Sequence, residues 1–224
     1  MRTQPSLAEA EPHAVEFAGQ LNVPHIADVV LVLKDEDRGL GGRLRRLSDR
    51  LAERIPWTCR LTLVDRGSRD DTWREICDFV NADLSARGIR FADATRASAV
   101  RCAWTTSPAP VVVLLDGSCI DEPDALSPLV AAVMSSCSSV ALGLRPAPDG
   151  REPGVFRPGD DFDSIFLDQR VGMVAVRASI ARELLGDRTR TRGWSGDDVA
   201  ALAGFAGIRV CRLALDERGA LACA

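Results

Sequence analysis

The chain has 224 residues, of which 46% are hydrophobic and 27% are charged, and 28 basic residues against 32 acidic ones leave a net charge of −4. This composition is typical of one folded globular domain and excludes an intrinsically disordered chain. The acidic surplus also argues against a general nucleic-acid binder, because such binding needs a surplus of positive charge.

Several residue types that often carry chemistry are scarce in this sequence. Lys34 is the single lysine, and the two histidines, His13 and His25, both lie near the N-terminus. Lysine-based catalysis, a histidine triad and a histidine zinc site are therefore disfavoured. The seven cysteines form no C-x-x-C pair, which favours small core residues in a reducing, cytoplasmic compartment. The scarce lysine and abundant alanine are typical of a GC-rich bacterial genome, and we expect no signal peptide or transmembrane segment.

The first 26 residues predict an N-terminal arm, because they mix polar and apolar residues and include three prolines. A short helix around Ala8–Leu21 is the one regular element expected there. From residue 27 onwards, apolar runs of strand length alternate with segments whose apolar residues recur every three or four positions. The runs predict strands at Val29–Leu33, Arg60–Asp65, Gly88–Ala92, Pro110–Leu115, Ser139–Leu144, Val171–Val176 and Ile208–Leu215. The periodic segments predict helices at Leu40–Ile55, Trp73–Leu84, 96–105, Pro123–Met134, Ala178–Leu185 and Asp197–Ala206.

This alternation predicts an α/β fold, with one domain over residues 27–216 that has a mostly parallel central sheet and helices on both faces. The pattern breaks at residues 145–163, which are rich in proline and acidic residues and predict a long loop. Residues 217–224 are expected to form a C-terminal tail.

Acidic side chains follow three of the predicted strands. They lie in the segments Lys34–Asp37, Asp65–Ser68 and Asp116–Ser118. Ligands of open parallel sheets bind beyond the carboxyl ends of the strands, where helix N-termini attract anions and glycines allow close backbone approach. Carboxylates at such an edge hold ribose hydroxyls or divalent cations. The pattern therefore predicts a crevice for a nucleoside diphosphate.

Six segments, in this order, resemble motifs of glycosyltransferase family 2, in the branch that is similar to polyprenyl-phosphate sugar synthases. They are VLVLKDED (30–37), VDRGSRDDTW (64–73), RASAVRCAW (96–104), VVVLLDGSCIDEPDALSPLV (111–130), DQRVGMVAVRASIARELL (168–185) and RGWSGDDVAALAGFAGIRV (192–210). The resemblance covers roughly residues 28–215. It implies the GT-A fold and the transfer of a sugar, with inversion, from a nucleotide-diphosphate sugar to an acceptor that the sequence does not identify.

The resemblance also implies roles for individual residues. Nucleotide binding falls to Asp35, Glu36, Asp65, Arg96 and Arg101, diphosphate or metal binding to Asp116 and Ser118, and the role of catalytic base to Asp197. The cofactor implied is Mg²⁺ or Mn²⁺, at a weakened motif, because the family's D-x-D is here reduced to Asp116-Gly117-Ser118 and a neutral serine is a poor ligand for a hard cation.

The departures from the family pattern support a second hypothesis. Besides Ser118, Arg66 stands where a carboxylate or amide usually contacts the nucleoside, and Val199 replaces a glutamate. The chain could therefore be a catalytically degenerate relative that binds a nucleotide or a partner protein. A nucleotidyltransferase is a third and weaker hypothesis, because the glycine-rich, lysine-containing loop after the first strand is missing.

Some of these residues also have a purely structural interpretation. Ser68 and Asp71 have the spacing of a capping box at the start of a helix. Arg96 and Arg101 have the pattern of solvated charges on a helix surface. The sequence leaves these alternatives open, together with the oligomeric state.

Overall fold

The computed structural model describes residues 14–18, 24–121, 123–144, 171–186 and 210–215. Within these ranges, eight strands form one sheet. The strands are β1 (Ala14–Ala18), β2 (Ala27–Leu33), β3 (Cys59–Asp65), β4 (Ala86–Phe91), β5 (Val111–Leu115), β6 (Val140–Leu144), β7 (Val171–Arg177) and β8 (Val210–Ala214). The α-helices are α1 (Leu40–Arg54), α2 (Thr72–Ala82), α3 (Arg96–Thr106), α4 (Leu126–Met134) and α5 (Ala178–Gly186).

The strand order across the sheet is β1-β4-β3-β2-β5-β7-β6-β8. Parallel pairing joins β4, β3, β2 and β5, and it also joins β6 to β8. By contrast, β7 runs antiparallel to β5 and β6, and β1 runs antiparallel to β4. The sheet is therefore mostly parallel, as predicted, and the carboxyl ends of β2, β3 and β5 lie side by side.

Helices cover both faces of the sheet, because successive residues of a buried strand point to opposite sides. On β2, Val29, Leu31 and Leu33 belong to a core that includes apolar residues of α1, α2 and α4. Val30 and Val32 belong to a second core, which includes apolar residues of α3 and α5. The continuous apolar run of this strand thus reflects burial on both faces.

The N-terminal segment differs from the prediction. Residues 14–18 form β1 along β4, so the helix expected around Ala8–Leu21 is wrong over this stretch. Pairing with β4 satisfies backbone groups that an edge strand would otherwise leave open, and local sequence does not reveal that gain. Leu84 also differs: α2 ends at Ala82, and Leu84 lies in the following turn with 47% of its surface exposed.

The other predicted elements within the described ranges are confirmed, with ends shifted by a few residues. The helix predicted at Pro123–Met134 begins with a 3₁₀ turn at Pro123–Ala125. The loop predicted at 145–163, the helix predicted at Asp197–Ala206 and the tail at 217–224 lie outside the described residues. None of the helices that the structure describes combines the length and apolarity needed to cross a membrane.

A buried carboxylate organises the amino end of the sheet. Asp28 on β2 is 0% exposed. Its Oδ2 accepts from Arg60 Nη2 at 2.5 Å and from the Ser107 hydroxyl at 2.6 Å, and its Oδ1 accepts from the Thr62 hydroxyl at 2.6 Å. Since a buried charge is tolerated only when it is paired and hydrogen-bonded, this network fixes β2, β3 and the segment before β5 to one another.

We predict that Asp28→Asn lowers the free energy of unfolding by about 3 kcal/mol, because it leaves the guanidinium of Arg60 in a half-buried site without its counter-charge. Urea denaturation measures the loss. Asp78→Asn, at an exposed position of α2, is the matched control and should stay within about 0.5 kcal/mol of the wild type. Equal stability of the two variants would show that the Asp28 network contributes little.

Candidate functional site

The carboxyl ends of three parallel strands meet at one edge of the sheet. Leu33 at the end of β2 lies opposite Asp65 at the end of β3, and β5 flanks β2 on its other side. The segments that follow these strands therefore lie next to one another. They bring together Asp35, Glu36, Asp65, Asp116 and Ser118, and Arg96 reaches them from the first turn of α3.

Ser68 connects the segments that follow β2 and β3. Its hydroxyl donates to Asp65 Oδ1 at 2.6 Å and accepts from the backbone N–H of Asp35 at 2.9 Å. The Asp35 carboxylate accepts in turn from the N–H of Arg69 at 2.8 Å. Asp35 has a φ of 54°, which aspartate tolerates better than most residues. Its exposed carboxylate is therefore held in place by the loop and open to a ligand.

Asp65 is fully buried and fixes its neighbours. Its Oδ1 accepts from the N–H of Ser68 at 2.9 Å as well as from the hydroxyl. Its Oδ2 lies 3.2 Å from Arg90 Nε, an ion pair whose geometry falls short of a hydrogen bond. The Arg90 guanidinium also lies 5.6 Å from the centre of the Trp73 ring, a cation–π distance. Direct contact of Asp65 with a nucleoside stays a prediction.

A cavity of about 300 Å³ opens beside the Asp65–Arg90 pair. It is lined by Val15, Gly67, Ser68, Arg90, Phe91 and Ala92. This volume lies at the lower end of the range for small-molecule sites. The cavity is therefore large enough for a small planar group, and Arg90 and Ser68 are the polar side chains among its lining residues.

Asp116, directly after β5, is engaged on both oxygens. Its Oδ2 accepts from Arg96 Nη2 at 3.1 Å, and its Oδ1 accepts from the N–H of Ser118 at 3.0 Å and from the Ser118 hydroxyl. Burial alone would raise the pKa of Asp116, but the hydrogen bonds from Ser118 and the Arg96 guanidinium outweigh burial and lower that pKa. Asp116 is thus a carboxylate that stays ionised at neutral pH.

Glu36 occupies the same edge and is paired with an arginine of α1. Its Oε2 lies 3.7 Å from Arg43 Nη1, while Arg43 Nη2 donates to the backbone oxygen of Gly117 at 2.7 Å. The pKa of Glu36 is raised, mainly by burial and also by the negative charge of Asp116. The positive charges of Arg43, Arg96 and Arg66 offset part of this increase in pKa. Arg43 pairs with Glu36, Arg96 pairs with Asp116, and Arg66 acts on Glu36 electrostatically. We call these five residues the acid–arginine cluster: Glu36, Asp116, Arg43, Arg66 and Arg96.

The donor set of this cluster does not fit a hard divalent cation, which prefers several carboxylate oxygens. The oxygens of Asp116 already accept hydrogen bonds, Glu36 faces Arg43, and Ser118 is neutral. Within the ranges described, no group of three or more His, Cys, Asp or Glu side chains is arranged to hold a metal ion. Guanidinium groups stand where a cation would need free carboxylate.

For two predicted site residues, Arg101 and Asp197, the described part of the chain shows no contact with this edge of the sheet. Arg101 lies one and a half turns after Arg96 on α3 and is half-buried. None of the described hydrogen bonds or ion pairs links its guanidinium to Asp116 or Glu36. Asp197, the predicted catalytic base, lies outside the described residues, so both assignments stay predictions.

Sequence reasoning missed Arg43 and Arg90. Arg43 follows the acidic segment after β2 and lies in the first turns of α1, and a helix that follows a strand begins at the ligand-binding edge. The position of Arg43 at the start of this helix could therefore have indicated a site residue. Arg90 interrupts the apolar run of β4, and a charge within a buried strand indicates a paired partner.

The capping-box interpretation of Ser68 and Asp71 is wrong. The helix α2 begins at Thr72, and Asp71 makes no capping hydrogen bond through its side chain. Instead, Asp70 accepts from the N–H of Thr72 at 3.0 Å, and the Thr72 hydroxyl accepts from the N–H of Glu36 at 2.7 Å. These polar side chains connect two loops, which is a tertiary role that helix-start patterns do not reveal.

Comparison with protein families identifies the family whose model matches this chain. The model described as "Glycosyl transferase family 2" matches residues 28–192, a range that includes every residue of the acid–arginine cluster. A search of curated proteins found no match to the sequence.

Solved structures resemble the fold at low sequence identity. The mannosyltransferase PcManGT from Pyrobaculum calidifontis, solved with GDP-Man and Mn²⁺, has a TM-score of 0.57 and 15% identity over 90% of this chain and 59% of its own. Glucosyl-3-phosphoglycerate synthase from Mycobacterium tuberculosis, solved with Mn²⁺ and UDP, has a TM-score of 0.56 and 15% identity over 86% of this chain and 70% of its own.

A third neighbour has a different activity in its name. The 4-diphosphocytidyl-2C-methyl-D-erythritol synthase from Anaerococcus prevotii has a TM-score of 0.58 and 12% identity, over 88% of this chain and 92% of its own. Such identities show the fold alone, and that fold is the GT-A fold of nucleotide-diphospho-sugar transferases, as predicted. The chain spans 59% of the length of the mannosyltransferase.

We predict that Gly67→Ala destabilises the protein by roughly 2 kcal/mol or more and distorts the wall of the cavity. Gly67 has a φ of 89°, and an added Cβ would lie 2.3 Å from the backbone oxygen of Ala92. Gly39→Ala is the matched control, because Gly39 also has a positive φ, of 67°, but nothing lies within 4 Å of its added Cβ. Urea denaturation of both variants should separate backbone strain, about 1 kcal/mol, from the clash. Equal losses would show that the loop relaxes around the new methyl group.

Proposed function

The chain belongs to glycosyl transferase family 2, and from this premise we propose that it transfers a sugar from a nucleoside-diphosphate sugar to an acceptor hydroxyl, with inversion at the anomeric carbon. The observation that carries the proposal is the acid–arginine cluster at the carboxyl edge of β2, β3 and β5. A diphosphate needs concentrated positive charge, and a sugar nucleotide needs carboxylates for its hydroxyls.

The nucleoside lies, in this proposal, beside Asp65. The cavity beside the Asp65–Arg90 pair receives the base, where Arg90 offers hydrogen bonds. The exposed Asp35 accepts hydrogen bonds from the ribose hydroxyls. Arg101 contributes to the positive field near the diphosphate.

The leaving group is the nucleoside diphosphate. The acceptor oxygen attacks the anomeric carbon, the bond from that carbon to the diphosphate oxygen breaks, and its electron pair stays on the diphosphate. Arg96 stabilises the negative charge that develops there, in the way that fixed positive groups stabilise a transition state. Asp197 takes the proton of the acceptor hydroxyl as general base.

Two solved neighbours support this choice of donor. The Pyrobaculum enzyme was solved with GDP-Man and the Mycobacterium enzyme with UDP, and both share the fold that forms the carboxyl edge. The proposal therefore takes a uridine or guanosine diphosphate sugar as the first donors to test. A cytoplasmic location completes the proposal, supported by a sequence whose seven cysteines form no C-x-x-C pair.

A second function is a catalytically degenerate relative that binds a nucleotide or a partner protein. One observation favours it: Ser118 stands where the D-x-D motif has its second aspartate, and the Ser118 hydroxyl donates to Asp116. Donor turnover separates the two functions.

We predict that the full chain releases UDP or GDP from a panel of UDP- and GDP-sugars, and that Asp116→Ala reduces this release at least 100-fold because Arg96 loses the carboxylate that positions it.

Asp197→Asn should also reduce turnover at least 100-fold while donor affinity changes less than threefold, since a general base acts only in the chemical step. Nucleoside diphosphate release measures turnover, and calorimetric titration measures affinity.

Asp78→Asn, exposed on α2, serves as the control and should match the wild type. Full activity of Asp116→Ala would refute the role of Asp116. Nucleotide binding without turnover under any condition would favour the degenerate relative.

A further inference from the structure

We propose that Arg96 and Arg43 replace a divalent cation in this chain, so that it binds the diphosphate of its donor without Mg²⁺ or Mn²⁺. This inference rests on the proposed function and goes beyond it, because two solved neighbours were obtained in complex with Mn²⁺ and a nucleotide or nucleotide sugar.

The first step of the argument concerns Asp116. A divalent cation binds carboxylate oxygen at about 2.0–2.6 Å, and the three donors from Arg96 and Ser118 leave only Oδ2 with an acceptor site open. Arg96 Nη2 lies 3.1 Å from Oδ2, and Ser118 donates twice to Oδ1. A cation on Oδ2 would also lie beside a guanidinium of the same sign. Asp116 is therefore a positioning residue that orients Arg96.

The second step concerns Glu36, the other carboxylate of the cluster. Arg43 Nη1 lies 3.7 Å from Glu36 Oε2, and Arg43 Nη2 donates to the backbone oxygen of Gly117 at 2.7 Å. Arg43 thus connects the segments that follow β2 and β5, and its guanidinium places a positive charge beside Glu36.

The third step is the charge of the cluster. Arg43 Nη1 lies 3.7 Å from Glu36 and Arg96 Nη2 lies 3.1 Å from Asp116, so each carboxylate of the cluster is already paired with a guanidinium. A further cation at either carboxylate would lie beside a positive group, whereas a diphosphate would be attracted by both arginines. Arginine is also suited to the task, because its planar fork binds phosphate oxygens in pairs and its charge does not depend on pH.

The cluster is accessible to such a ligand. The side chains of Arg96 and Asp116 are each 32% exposed, and that of Arg43 is 27% exposed. A diphosphate can therefore bind the solvent-exposed part of both guanidinium groups. Asp116 keeps Arg96 in position, and the backbone oxygen of Gly117 keeps Arg43 in position.

The test titrates UDP, GDP, CDP, ADP and dTDP into the full chain by calorimetry, once with EDTA and once with Mn²⁺. At least one nucleotide should bind with EDTA, and its affinity should rise less than threefold with Mn²⁺. Arg96→Gln and Arg43→Gln should each weaken that binding at least tenfold. Arg54→Gln, on the same helix as Arg43 but paired with Asp124 at the far end, is the control and should bind as the wild type does.

A second variant separates the two roles of Asp116. Asp116→Asn keeps one oxygen that can accept from Arg96 but turns an amide NH₂ toward the donors of Ser118. Binding with EDTA should therefore weaken, but by less than the tenfold expected for Arg96→Gln, whereas a metal ligand would lose its charge and most of its affinity. Thermal unfolding of every variant checks that the fold is retained.

Three results would overturn the inference. Binding that appears only with Mn²⁺ would refute it and leave the proposed function standing. Wild-type affinity in Arg96→Gln would refute the role of that arginine. Failure of all five nucleotides under both conditions would refute donor binding itself, and with it both proposals.

Discussion

Pairing between arginine and carboxylate is the interaction on which both ends of this sheet depend. A carboxylate that leaves water loses more solvation energy than a single neutral hydrogen bond restores, so it needs an opposite charge and further donors. At the amino end, Asp28 binds Arg60. At the carboxyl edge, Asp65 and Asp116 each face an arginine of a neighbouring element. In a chain with a single lysine, guanidinium groups carry nearly all of this pairing.

The Asp28–Arg60 and Asp116–Arg96 pairs differ in exposure, and only a pair that is open to solvent can also contact a ligand. Asp28 is completely buried and its oxygens are occupied by neighbouring strands and loops. Asp116 and Arg96 each keep about a third of their side-chain surface open to solvent. A guanidinium held on one side by a carboxylate and open on the other can bind phosphate without losing its position, because its five donors point in several directions. The same type of pair, aspartate with arginine, therefore stabilises the amino end of the sheet and leaves a guanidinium open to a ligand at the carboxyl edge.

Much of the fold could be predicted because burial on both faces leaves a plain trace in sequence. The apolar runs at β2 and β5 predicted central strands, and the spacing of leucines in α1 predicted a helix on one face. Residues 14–18 were missed because an edge strand depends on its neighbour for its hydrogen bonds, and its own pattern is short and mixed. The ends of elements shifted for a similar reason, as with Leu84, whose apolar side chain continues the helical spacing after the helix has ended.

The sequence by itself determined the order of the described strands and helices from residue 27 onwards, the two-faced core and the carboxylates that follow three strands, since each of these depends on local spacing and on burial. Only the tertiary structure decided which charges meet. Arg43 and Arg96 come from helices that follow different strands, and they face the cluster because parallel register places those helix starts at one edge. Ser68 likewise serves loops 33 residues apart rather than its own helix. Partners at such separations have no fixed spacing along the chain, so the pairing of charges follows from packing.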